Sequence, residues 1–526
     1  MFVTRILSRA RGRVHFSTKR RFVDFDRTKD AYAHHTTLSL IRNLCVLKVC
    51  SIESLVANSE KMIKLSYVMF RKSITNYVIR QTFFKQFVAA ENNKDLVPVM
   101  KELNSAGVAG ILDYAAEGDL EDTREEREDE VVARTYSYEG EKKCDAATKV
   151  FEQCIRTARD AALEGSRPFA AIKLTALGNP LLLKRMSIMA VEQFRLFSRI
   201  DAKVNPGQAT GVLTLPKFKR GFSEYFDVKT SFVEELFESA SQGKEVDGEP
   251  YIDRVDWARS VDMDTIAMLV ESCIKPGPLL ASALTDEELK LGHNMFNRMD
   301  RLAELANELD VNLMIDAEHT YFQPSIDSTV LKLQRKYNVK KPIIFGTYQC
   351  YLTSSEERVS LDLERSKREG WIFGCKLVRG AYMVHENNLA EEQGKESPIY
   401  QTIEETHANY NKIVDLLIKD SLAHVMIATH NQESCEVAIR SMNECVEDPS
   451  EKVYFGQLLG MADHLTFALG SHGYNAYKYL PYGRIEEVLP YLIRRAQENA
   501  GLMAGAVHER ELILNEIKRR LRAQFN

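Results

Sequence analysis

Between residues 108 and 481 a short apolar run ends eight times in a polar residue and gives way to a helical stretch. The runs are Val108-Ala-Gly-Ile-Leu-Asp113, Ala170-Ala-Ile-Lys173-Leu-Thr, Asn312-Leu-Met-Ile-Asp316, Pro342-Ile-Ile-Phe-Gly-Thr347 and Gly374-Cys-Lys376-Leu-Val-Arg379. They continue with His424-Val-Met-Ile-Ala-Thr429, Val453-Tyr-Phe-Gly456-Gln457 and the weaker Tyr477-Lys-Tyr479-Leu-Pro. Strands that alternate with helices are βα units, and such units build parallel sheets. Eight of them predict an α/β fold, a (β/α)8 TIM-like barrel. At 526 residues the chain is long for one domain, but a barrel with an arm and an insertion accommodates it.

The rest of the chain divides around that rhythm. Residues 24–107 read as an N-terminal helical arm, with few Gly or Pro and repeated apolar 3/4 spacing. The barrel takes 108–526. Residues 117–130 hold nine acids and two arginines, a solvated loop. Residues 186–290, between strands 2 and 3, are too long for one barrel helix and form a helical insertion. Inside it, Gly211-Val-Leu-Thr-Leu-Pro-Lys217-Phe resembles the back half of an EF-hand loop. Lys217 stands where calcium needs a bidentate Glu, so the insertion reads as degenerate and calcium-free.

Composition narrows the function class. A net charge of -5 gives no reason to expect nucleic acid, and nine scattered cysteines form neither a CxxC pair nor a Cys/His metal pattern. No metal site is expected. Residues 1–23 carry seven cations with interspersed Ser and Thr and no acid, which is the composition of a mitochondrial transit peptide. Leu38 to Val56, the most apolar stretch, is broken by Arg42, Lys48 and Glu53. It reads as an amphipathic helix, with membrane contact peripheral if present.

Polar residues at the C-terminal ends of barrel strands are where such a fold keeps its chemistry. Here they include Lys173, Asp316, Ala317, Glu318, Thr347, Gln349, Lys376, Arg379, Tyr382, Thr429, His430, Asn431, Gln457 and Tyr479. In a strand Lys376 and Val378 face one way, Leu377 and Arg379 the other, and Gly380 then lets backbone approach a ligand. Near the end, Tyr491, Arg494, Arg495 and Glu498 fall on one helix face that is polar where a packing face is apolar. Two adjacent guanidinia can each fork a carboxylate, and Glu498 can hold Arg494 in place. The alternative is a solvated face laced with i,i+4 pairs. No GxGxxG or GxxxxGK[ST] element lies in a strand-to-helix context, so a Rossmann or P-loop site is not supported.

Five motifs in order resemble the mitochondrial proline dehydrogenase (proline oxidase) family. They are Asp316-Ala-Glu318, Lys376-Leu-Val-Arg-Gly-Ala-Tyr382, Ala428-Thr-His-Asn431, Tyr479-Leu-Pro-Tyr-Gly483 and Tyr491-Leu-Ile-Arg-Arg-Ala-Gln-Glu-Asn499. The resemblance implies non-covalent FAD at the strand ends and oxidation of L-proline to Δ1-pyrroline-5-carboxylate. Hydride would pass from C5 to flavin N5 and electrons to ubiquinone, at the matrix face of the mitochondrial inner membrane. By the same resemblance Arg494, Arg495 and Lys173 pair with the substrate carboxylate and Glu498 orients an arginine. Tyr479 and Tyr491 close over the ring, and Asp316 and Ala317 lie beneath flavin and substrate. Lys376, Arg379, Gly380, Thr429, His430 and Asn431 line the flavin, with Thr347, Gln349, Tyr382 and Gln457 on neighbouring strand ends. Bacterial members carry Arg at the Lys376 position and Trp at the Met383 position, so a bidentate contact and an aromatic surface are missing here.

Two rivals stay open on sequence. Hydroxyproline dehydrogenase shares the fold family, and the bulky Tyr479 favours plain proline, whereas Ile493 and its flanking residues pull toward the sister branch. A Schiff-base barrel lyase would use Lys173 as nucleophile and would be colourless. The oligomeric state is not read from these residues.

Overall fold

The computed structural model describes residues 23–115 and 140–525, apart from 208–209, 242–243, 247, 262, 275–276 and 502. The basic stretch through residue 22 and the acidic run 117–130 lie outside the described residues.

Eight strands close into a barrel: β1 (Val108–Tyr114), β2 (Phe169–Ile172), β3 (Asn312–Ile315), β4 (Ile344–Gln349), β5 (Phe373–Val378), β6 (Ala423–Ala428), β7 (Val453–Leu458) and β8 (Ala476–Tyr482). Every neighbouring pair is parallel, and β1 pairs with both β2 and β8 to complete the circle. This is the (β/α)8 fold that the eight apolar runs predict.

The side-chain period of two along each strand sorts the residues. One set, with Leu112, Ile172, Leu313, Ile315, Val425 and Phe455, joins the large core shared with the surrounding helices. The alternate set, with Ala109, Ile111, Ala171, Met314, Phe345, Met426 and Tyr477, fills the lumen. At its centre the Phe169 ring meets Phe345, Tyr454 and Tyr477 edge-on at 5.3, 5.2 and 5.2 Å. The lower lumen is therefore solid apolar packing. Continuing the same alternation upward places Asp113, Lys173, Asp316, Thr347, Lys376 and Tyr479 on the lumen side of the upper rim.

The arm is helical, but Leu38 to Val56 is two helices, Thr37–Cys50 and Glu53–Ala57, separated at Ser51 and Ile52. Leu40 and Leu47 bury against Leu512, Ile513 and Ile517 of the C-terminal helix. The insertion between β2 and β3 has its own core of Phe197, Phe218, Phe222, Phe237 and Trp257. In it, Val212–Thr214 pairs antiparallel with Glu249–Asp253. The Asp201 carboxylate accepts the Gly211 N–H at 2.8 Å, and Lys244 binds Asp256, so both carboxylates have partners within the protein.

Candidate active site

The rim residues of three distant strands converge on one carboxylate. Lys376 Nζ of β5 lies 2.5 Å from Asp316 Oδ1, and the Tyr479 hydroxyl of β8 donates to Asp316 Oδ2 at 2.9 Å. The Lys376 ammonium also lies 5.5 Å from the centre of the Tyr479 ring. Burial and the Asp113 and Asp316 charges raise the Tyr479 phenol well above its ordinary range, so it stays protonated.

Beside this trio, Lys173 follows β2 and opens the short turn Leu174–Ala176. Thr175 in that turn binds Glu318, its hydroxyl lying 3.0 and 2.9 Å from the two carboxylate oxygens. Burial pushes the Glu318 carboxyl up to about 7, against the opposing pull of the nearby Lys173 cation. Gln349 Nε2 donates to the Glu318 carbonyl at 2.7 Å, and the Thr347 hydroxyl donates to the Ile315 carbonyl at 2.7 Å. Ala317 sits between Asp316 and Glu318 and contributes backbone. Gln349 Oε1 is buried and has no hydrogen-bond partner among the described residues.

On the β5–β6 side, Arg379 turns away from the lumen, as strand alternation requires. Its three nitrogens donate to His407 Nδ1 at 3.0 Å, Thr429 Oγ1 at 2.6 Å and Ser434 Oγ at 2.7 Å. The guanidinium lies 4.3 Å from the Tyr410 ring centre. All three acceptors are neutral, and burial lowers the pKa of Arg379 from its ordinary value. Thr429 Oγ1 also takes the Asn431 N–H at 3.0 Å, and Asn431 Oδ1 caps helix Gln432–Glu444 through the Ser434 N–H at 2.9 Å.

His430 Nε2 accepts the Leu458 N–H at 3.0 Å, which assigns the ring proton to Nδ1. Burial, together with Lys478 and Arg495, lowers His430 to about 3, so the ring is neutral in use. Gln457 spends its amide inside the protein, giving Nε2 to the Thr429 carbonyl at 3.1 Å and taking the Thr466 hydroxyl at 2.9 Å. Gly380 has φ +137°, and a Cβ there would stand 2.1 Å from the Tyr351 ring. The glycine is thus required by packing within the protein. Tyr382 opens helix Met383–Glu392, its ring 4.1 Å from that of His319.

Helix Ile485–Gly501 follows β8. Tyr491 is buried among Phe84, Phe87, Met461 and Ile485, and the Arg495 guanidinium lies 4.9 Å from its ring centre. Arg495 is buried and Arg494 half-buried. The influence of Arg495 on His430, and of Tyr491 on Tyr479, puts this helix at the barrel mouth. A solvated face does not describe it. The Glu498 side chain lies outside the described residues.

The sequence model of the proline dehydrogenase family matches residues 97–507. The chain belongs to the proline dehydrogenase family. Proline dehydrogenase 1, mitochondrial, of Homo sapiens is 37% identical over 558 residues, covering 95% of this chain and 90% of that protein. Hydroxyproline dehydrogenase of Xenopus laevis is 30% identical over 486 residues, covering 91% of this chain and 86% of that protein. The crystal structure of proline utilization A from Bdellovibrio bacteriovorus matches with a TM-score of 0.53 at 17% identity. That match covers 91% of this chain but 38% of the longer one, and it shows the shared barrel fold.

Within this proline dehydrogenase family barrel, several rim residues carry no local sequence signal. His407 and Ser434 hold Arg379 from two different helices. Lys478 alternates with Tyr477 and Tyr479 like any strand residue, yet it is fully buried, with Asp463 Oδ1 at 2.7 Å and the Met461 carbonyl at 2.6 Å. Glu318 is visible as part of Asp316-Ala-Glu318, but its partner Thr175 is 143 residues away. Among the described residues no group of three or more His, Cys, Asp or Glu is placed to hold a metal ion.

Proposed function

We propose that this protein oxidises L-proline to Δ1-pyrroline-5-carboxylate with non-covalently bound FAD and passes the electrons to ubiquinone. The observation that carries the reading is the convergence of Lys376, Asp316 and Tyr479 at 2.5 and 2.9 Å beneath a helix bearing Arg494 and Arg495. Two features support FAD. Arg379 is a cation held only by neutral acceptors and forms no ion pair among the described residues, which suits an anionic cofactor. Gln349 Oε1 is a buried acceptor suited to a flavin N–H.

When bound, the flavin supplies the two-electron acceptor chemistry that no side chain has. The protein's own part is orientation. Arg494, Arg495 and Lys173 hold the carboxylate, the end of proline remote from C5. Positioning of this kind is worth roughly 7–11 kcal/mol at best. Tyr479 and Tyr491 exclude water from the ring, and Asp316 keeps the Tyr479 ring in place by its hydrogen bond. Proline must react as the neutral amine, since a protonated nitrogen has no lone pair to push toward C5. It loses two electrons and two protons, from N and C5, as the C=N bond forms.

A matrix location at the inner membrane is supported by the basic, acid-free first 23 residues and by relatives named mitochondrial. The fixed Tyr479 ring, and the higher identity to the proline-named relative, favour proline over 4-hydroxyproline. The test is a visible spectrum followed by dye reduction with L-proline and trans-4-hydroxy-L-proline side by side. Flavin bands and a kcat/KM favouring proline are expected. A preference for hydroxyproline would move the protein to the sister activity. A colourless protein that forms a borohydride-trapped adduct with a keto acid would mean a lyase.

A further inference from the structure

The arm segment Ser59–Ile79 is folded inside out. It is helical except at Arg71, whose φ of +65° reverses the chain, so that it forms a hairpin with Val68 to Lys72 at the turn. Its buried residues are polar: Thr75 Oγ1 donates to the Ser66 carbonyl at 3.2 Å, and Tyr67 donates to Asn76 Oδ1 at 3.0 Å. Its outer surface carries large apolar side chains interspersed with charges. Val68, Met69 and Phe70 at the turn are 85, 63 and 54% exposed, and Met62, Leu65, Ile74, Tyr77 and Val78 are exposed behind them. Eight of the 27 exposed large hydrophobic residues among the described part of the chain fall in this one segment. An apolar surface concentrated in this way marks an interaction site.

Charge selects the occupant. The segment carries Lys61, Lys64, Arg71 and Lys72 against Glu60, a local charge of +3 on a chain whose net charge is -5. A second copy docked face to face would bring two such cationic surfaces together. The first 23 residues, with seven cations and no acid, would meet the same repulsion. A bilayer bearing anionic headgroups matches both features, since the apolar turn enters the acyl boundary while the lysines meet the headgroups. No helix among the described residues is long and apolar enough to cross a membrane, so the contact is interfacial.

We propose that the hairpin Ser59–Ile79 seats this protein on an anionic lipid surface and couples that surface to the helix carrying Arg494 and Arg495. The coupling is direct: Asn76 Nδ2 donates to Glu486 Oε1 at 3.1 Å in the first turn of helix Ile485–Gly501. Ile79, Phe83, Phe84 and Phe87 share one apolar cluster with Ile485 and Tyr491 of that helix. The barrel mouth is thereby held beside the lipid, where a lipid-soluble electron acceptor resides. The inference deepens the membrane contact proposed above and does not depend on which substrate the site takes.

The test is flotation of the full-length protein with vesicles of phosphatidylcholine, with and without phosphatidylglycerol. The wild type is expected to float with the anionic vesicles. The triple variant Val68→Asp, Met69→Asp, Phe70→Asp should lower the bound fraction about tenfold, with proline-dependent dye reduction unchanged as a check on folding. Lys61→Glu with Lys64→Glu and Lys72→Glu should abolish the preference for anionic vesicles. A wild type that stays in solution, or a triple variant that floats equally well, overturns the proposal. So does a dimer in gel filtration that the triple variant dissociates without any change in flotation. Vesicle binding without proline turnover would uphold the hairpin and remove the substrate reading instead.

Discussion

Lys376 and Tyr479, one from β5 and one from β8, grip opposite oxygens of the same carboxylate, at 2.5 and 2.9 Å from Asp316. The lysine and aspartate side chains are 8 and 14% exposed, so little water is available to replace a lost partner. Lys376→Met should therefore cost about 3–5 kcal/mol by stranding the carboxylate. Tyr479→Phe should cost less, about 1.5–3 kcal/mol for one hydrogen bond to a charge. Adding Asp316→Leu to Lys376→Met should restore much of the stability, because a buried pair replaced by apolar groups is often neutral. Urea unfolding of the three variants decides; single and double variants of equal stability would show that the pair is not desolvated.

Arg494→Met should act on binding. The substrate carboxylate keeps its charge throughout the reaction, so the contact stabilises ground and transition states alike. KM for proline should rise about 10- to 100-fold, the worth of about 1.5–3 kcal/mol, with kcat nearly constant. Arg495→Met should do the same and should also loosen Tyr491, whose ring the guanidinium covers at 4.9 Å. A large fall in kcat at unchanged KM would refute the carboxylate role.

The barrel was legible because strand alternation and strand-end polarity are local properties. All eight apolar runs overlap strands, with end shifts of up to three residues. Pro342 and Ile343 look like strand but precede β4, because Asn338 Oδ1 takes the Ile343 and Ile344 amides at 2.9 and 2.8 Å. At the other end β4 extends to Gln349, whose lumen-facing parity with Phe345 and Thr347 continues. What was not legible depends on closure or on backbone breaks without markers. Arg71 reverses the arm with no glycine or proline to announce it. Lys478 finds Asp463 only once β7 and β8 pair and the helix that connects them, Asp463–Ser471, folds over them. The Arg379 cradle draws on residues up to 55 positions away, and no spacing rule encodes it.

Arg379→Met should release the cofactor more than it unfolds the protein. The guanidinium organises His407, Thr429 and Ser434, and among the described residues it has no carboxylate partner. Loss of a charge-assisted contact of about 1.5–3 kcal/mol predicts a Kd for FAD raised about 10- to 100-fold. The flavin-to-protein ratio after gel filtration measures it. Arg379→Lys should rescue little, because an ammonium cannot span three acceptors in a fixed fork. Full flavin content in the Met variant would remove Arg379 from the cofactor site.

Glu509 supplies a pH dependence with a definite sign. Its carboxylate accepts the N–H groups of Ala462 and Asp463 at 3.0 and 3.1 Å, at the start of helix Asp463–Ser471. Burial, reinforced by the Asp463 charge, pushes its pKa from 4.5 up to about 7. Between those two values the folded chain holds a proton that the unfolded chain has already lost. Stability from this group is therefore full below 4.5 and falls as pH rises through about 7, by about 3 kcal/mol at most. Glu509→Gln keeps a neutral acceptor and cannot ionise. Its Tm should match the wild type near pH 5 and exceed it near pH 8. Two Tm curves that run parallel across that range would show that Glu509 is ionised throughout and that its two amide contacts outweigh its burial.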